Sequence, residues 1–96
     1  MSISFLLQAT RILHKGNYDD NEVHMIYDYL KSIDNETLYE YYCTCSVLSY
    51  DNDLELFIEI LGTAIKVLEE KEEYEKCQAL QFKKLECEGI KKQKTF

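Results

Sequence analysis

The sequence predicts an all-α fold: a compact bundle of four or five short helices ending in a C-terminal helical hairpin. Three observations carry that reading. The 96 residues contain no proline and only three glycines, Gly16, Gly62 and Gly89, so the chain lacks the punctuation that strands and hairpins need. Apolar residues make up 46% of it, enough for a globular core, and they recur three and four apart. Short polar breaks at 16–20, 34–35 and 51–53 cut the chain into helix-length pieces. The length suits one domain with room for one modest core, placed at 1–90, followed by a flexible lysine-rich tail at 91–96.

The first helix is expected over 2–15. Leu6, Ala9 and Leu13, flanked by Phe5 and Ile12, form its apolar stripe. Gly16 and Asn17 suit its end, because both tolerate the left-handed conformation of a C-terminal cap. The second helix is expected over 21–33. Val23, Ile26, Tyr27, Leu30 and Ile33 share one face, and Asp20 or Asn21 supplies the N-cap.

The third helix is expected over 36–49, with Asn35 as its cap. One face carries Leu38, Tyr41, Tyr42, Cys45 and Leu48; a second carries Tyr39, Cys43, Ser46 and Tyr50. Thr, Tyr, Cys and Val also favour strands, so a strand competes here. The helical spacing decides for helix. The fourth helix begins at the 51–53 break. Its apolar residues, from Leu54 through Leu68, cover more than half its circumference, which marks a central helix with neighbours on several sides. Gly62 lies inside it, and a close helix crossing would explain its presence.

A single helix over 53–88 would span about 54 Å, too long for so small a domain. A turn near 71–73 therefore starts a fifth helix that presents Tyr74, Cys77, Leu80, Phe82 and Leu85. The stretch 64–85 resembles one helical hairpin of the tetratricopeptide or UVR type. The likeness rests on a short acidic turn followed by Tyr74, Glu75, Cys77 and Leu80. It implies that the aromatic wedges between two helices and that the small residue lets them approach. UVR motifs carry an arginine where this chain has Gln81, and there is no second copy of the repeat.

Charge is distributed unevenly. The net charge is −7, and residues 16–62 hold eleven Asp or Glu against Lys31 alone. Such a field repels nucleic-acid backbones and attracts basic surfaces. Tyrosines concentrate in the same half. Residues 39, 41, 42 and 50 point to opposite sides of the third helix, so they cannot all be buried against one neighbour.

Motifs for chemistry are absent from the sequence. Three isolated glycines build no phosphate loop, nucleotide fingerprint or nucleophile elbow. Cys43 and Cys45 lie about 200° apart on a helix and cannot readily chelate one ion. With Cys77 and Cys87 they read as free thiols in core and boundary positions. His14 and His24 sit on separate elements, with no local partner for catalysis. The acids of 51–55 begin like a calcium loop but lack its glycine at position six and its glutamate at position twelve, so they read as capping residues. No catalytic residue, cofactor or metal is expected.

No apolar run reaches the length of a membrane span, and the start of the chain has no basic region or cleavage site of a signal peptide. The expected compartment is the cytoplasm. These features suggest a non-catalytic protein-binding module, a small acidic inhibitor or regulator of the antitoxin, immunity or phage counter-defence type. It would engage a basic surface of a protein partner. The expected contact residues are Asp19, Asp20, Glu22, Tyr39, Tyr50, Asp51, Asp53 and Glu55. If the helices alternate up and down, the two acidic breaks fall at one end of the bundle, with Tyr18 and Tyr50 beside them. Asp19 and Glu55 are the acids least committed to capping. Two alternatives stand beside this: a homo-oligomeric assembly protein using the apolar excess of helices one and four, and a nucleic-acid accessory protein using Lys91, Lys92 and Lys94.

Overall fold

The computed structural model describes residues 3–16, 19–45 and 50–93. Among them are five helices and no strand: α1 (Ile3–Lys15), α2 (Asp20–Ser32), α3 (Asn35–Tyr42), α4 (Asp53–Glu70) and α5 (Tyr74–Gln93). Ser2, Asn17, Tyr18, residues 46–49 and residues 94–96 lie outside the described residues, so the expectations resting on Tyr18, Ser46, Leu48 and Lys94 lie outside them too. The same holds for the side chain of Phe5.

The α1 stripe is as the spacing dictates, with Leu6, Ala9 and Leu13 buried. Gly16 follows in the left-handed region, φ +73°, where glycine carries no Cβ penalty. The cap of α2 differs from expectation. Asp19 fills it, accepting from the Glu22 amide at 2.8 Å, while the Glu22 carboxylate accepts from the Asp19 amide at 3.0 Å. This reciprocal pair satisfies two backbone donors that the helix start would otherwise leave open. Val23, Ile26, Tyr27 and Leu30 are buried along the helix, and Ile33 just beyond it.

Asp34, not Asn35, caps α3, accepting from the Thr37 amide at 2.8 Å. Backbone hydrogen bonding holds the Asp34 carboxyl below its usual range. The helix closes after eight residues, well short of residue 49. Cys43, Thr44 and Cys45 are weak helix formers. The Thr44 hydroxyl turns back to the Glu40 carbonyl at 2.7 Å, and the Thr44 carbonyl accepts from the Asp53 amide at 3.0 Å. Cys43 and Cys45 are exposed rather than packed; Cys77 and Cys87 are buried.

The central element is α4. Asn52 caps it through the Glu55 amide at 3.0 Å, and Leu54, Leu56, Phe57, Ile60, Leu61 and Leu68 are almost wholly buried along it. It packs against α1, α2, α3 and α5. A turn at 71–73 ends it and starts α5, so 53–93 forms a hairpin. There the Glu73 amide bonds the Leu68 carbonyl and the Glu72 amide bonds the Glu69 carbonyl, both at 3.0 Å. This is a Schellman closure with Glu72 at φ +60°, a position that normally favours glycine.

Helix α5 turns a different face inward from the one its apolar residues suggest. Cys77, Leu80, Cys87 and Ile90 are buried, while Tyr74, Phe82 and Leu85 are exposed. At 100° per residue the buried four cluster on one side, and Phe82 and Leu85 fall on the opposite one. Tyr74 therefore does not wedge between the two helices. Cys77 does lie at their contact, its Sγ donating to the Ile65 carbonyl at 3.4 Å. Helix α5 runs on to Gln93, past the expected domain end at residue 90, with Ile90 buried and Lys91 paired with Glu55.

Candidate protein-binding surface

The path of α2 and α3 decides where the acids lie. His24 near the start of α2 faces Glu73 at 3.3 Å, and Lys71 pairs with Asp20, so α2 begins beside the C-terminal end of α4. The Ile33 carbonyl accepts from Lys83, halfway along α5. Tyr41 then packs on Phe57, ring centroids 5.7 Å apart, near the N-terminal end of α4. Helices α2 and α3 thus run in the same sense along the hairpin. The link between them is Ile33–Asp34, both extended, which bends the path without reversing it.

The expected acidic cluster at one end of the bundle is therefore not formed. Asp19 and Asp20 lie by the C-terminus of α4. Asp53 and Glu55 lie at its N-terminus, about 27 Å away along an 18-residue helix. Up-and-down alternation fails because α3 is short and continues the direction of α2.

Several of the expected contact residues are engaged within the fold. Asp19 and Glu22 form the capping box. Asp20 is bonded to Lys71, which holds its carboxyl below the usual range. Glu55 is bonded to Lys91, which raises that ammonium group's pKa. Asp53 is only 4% exposed, and burial pushes its carboxyl up. Among the described residues its Oδ1 has no hydrogen-bond partner. It is unsuited to meeting a partner surface. Tyr50 is half-buried against the core. Asp51 and Tyr39 remain exposed.

Other acids stand exposed on the outer sides of α2 and α3. On the outer side of α3, Glu36, Tyr39 and Glu40 lie within one turn, opposite the buried Leu38 and Tyr41. On the outer side of α2, Asp28 stands beside Met25, which is 55% exposed; Tyr39 is 41% exposed. Glu36 and Glu40 were legible as an i, i+4 pair on the polar face, but attention to the interhelical breaks passes over them. The basic residue of this stretch, Lys31, has its ammonium 5.7 Å from the centre of the Tyr27 ring.

Two other groupings have structural rather than chemical explanations. Lys76 bonds Glu73 at 2.7 Å, and this bond, helped by His24, holds the Glu73 carboxyl below its usual range. The Tyr29 and Tyr41 hydroxyls meet at 3.5 Å, and burial raises the Tyr41 phenol well above its usual range. Among the described residues no group of three or more His, Cys, Asp or Glu could hold a metal ion, and no helix is long and apolar enough to cross a membrane. Comparison with protein-family models, curated proteins and solved structures found no match to this chain.

Proposed function

We propose that this chain is a non-catalytic protein-binding module, of the inhibitor or regulator class, that engages a basic surface of a protein partner through α2 and α3. The observation supporting this is the outer face of those helices. On α2 the exposed Met25 stands one turn from Asp28, and on α3 the exposed Tyr39 stands beside Glu36 and Glu40, each on the outer side of its helix. Methionine and tyrosine supply adaptable contact area, and the acids supply complementarity to Lys and Arg. The acids at the helix starts add to the same field while holding their caps.

The test is affinity capture from the native host lysate with two baits, the wild type and D28K/E36K/E40K. All three positions are on the outer faces, so the fold should survive, as circular dichroism would verify. The reading expects a protein held by the wild type and lost by the variant, with a basic surface. Partners retained equally by both baits would remove this face from consideration.

A further inference from the structure

Gly62 lies in the middle of α4, where glycine weakens a helix. Among the described residues nothing uses its smallness: apart from its chain neighbours and the helix's own backbone, no atom stands within 4 Å of where a Cβ would be. The close crossing expected from the sequence is not inside the monomer. Instead a groove of about 390 Å³ opens over Gly62, between α4 and α5, bounded by Ile65, Gln81, Lys84, Leu85 and Glu88. A second depression shares Gly62, Ile65 and Lys84 and carries the groove along α4 past Ile58. On α5, Leu85 and Phe82 are 62% and 60% exposed.

The charges beside this groove are self-complementary. Glu59 precedes Gly62 by three residues and Lys66 follows it by four, so each lies about one turn away, on the exposed side of α4. Neither takes part in an ion pair among the described residues. Two copies of α4 crossing antiparallel at Gly62 would set each Glu59 against Lys66 of the other. A parallel crossing would oppose like charges. A two-fold axis makes the pairing occur twice, and the missing Cβ lets the two backbones approach.

We propose that the α4–α5 face is a self-association surface on which a second copy of this chain docks antiparallel across Gly62, with Glu59 of each protomer paired to Lys66 of the other. The surface is separate from the α2–α3 face, so either assignment can fail alone.

Sedimentation equilibrium over a concentration series, with circular dichroism to check folding, tests it. The wild type is expected to dimerise with rising concentration. G62Q fills the crossing point and should stay monomeric with helicity unchanged. E59K and K66E should each dimerise several-fold more weakly, and E59K/K66E should recover the wild-type constant. A wild type that stays monomeric up to about 1 mM overturns the proposal. Dimerisation of G62Q at the wild-type constant overturns it too. A double variant no tighter than the singles would refute the antiparallel register.

Discussion

Replacing Gly62 with alanine should stabilise the monomer. The position is helical and its side-chain space is open, so an added methyl meets no atom of another element among the described residues and strains no dihedral. What changes is the backbone entropy of the unfolded chain and the shielding of the helix backbone, together worth about 1 kcal/mol. For a chain of 96 residues the entropy of unfolding is about 0.2 kcal/mol per kelvin, so Tm should rise by about 5 °C. The assay is thermal unfolding followed at 222 nm, on samples dilute enough to be monomeric. A fall in Tm would mean that some part of the same chain does approach Gly62 closely. The groove between α4 and α5 would then be closed in solution, and the case for its occupant would go with it.

Three further outcomes follow from the packing. Leu61 is fully buried on the central helix, so Leu61→Ala should cost about 2–5 kcal/mol in denaturant unfolding, a large share of a small domain's stability; a cost below about 1 kcal/mol would make α4 peripheral. Glu72→Gly should gain about 1 kcal/mol by relieving the left-handed residue of the hairpin turn, and a loss would show that Glu72 makes contacts worth more than its strain. Asp53 has its carboxyl pKa raised in the fold by burial, so its charge opposes folding above that raised value and the penalty vanishes below about pH 4, where the unfolded carboxyl is protonated as well. Asp53→Asn should therefore raise Tm at pH 7, with the gain shrinking as pH falls; an equal gain at every pH would remove ionisation as its cause.

Much of the fold was legible because the pattern of α2 and α4 is decided by hydrophobic spacing alone. Val23, Ile26, Tyr27 and Leu30 are buried as their spacing requires. Helix α5 was less legible because its apolar residues surround the axis. Phe82 and Leu85 look like core by type, yet the face completed by Cys87 and Ile90 packs inward. The length of α3 depends on Cys43 and Thr44, whose weak propensity does not by itself mark a stop. The placement of the acids expected to bind was the least legible part. An acid beside a helix break reads equally as a cap, an ion-pair partner or a free charge. Here the capping box of Asp19 and Glu22, the Asp20–Lys71 pair and the burial of Asp53 consume four of the acids expected to bind. Those pairings span up to 51 residues of sequence, beyond the reach of local spacing.

The central claim is that α2 and α3 present an acidic face to a basic protein surface. The most direct measurement is the association rate with the captured partner as ionic strength rises, for wild type and D28K/E36K/E40K. The account predicts that the wild-type rate falls steeply with salt and that the variant is slow at low salt, with the difference narrowing as salt screens the charges over about 10 Å. A wild-type rate indifferent to salt, or a variant that associates as fast as the wild type at low salt, would contradict it.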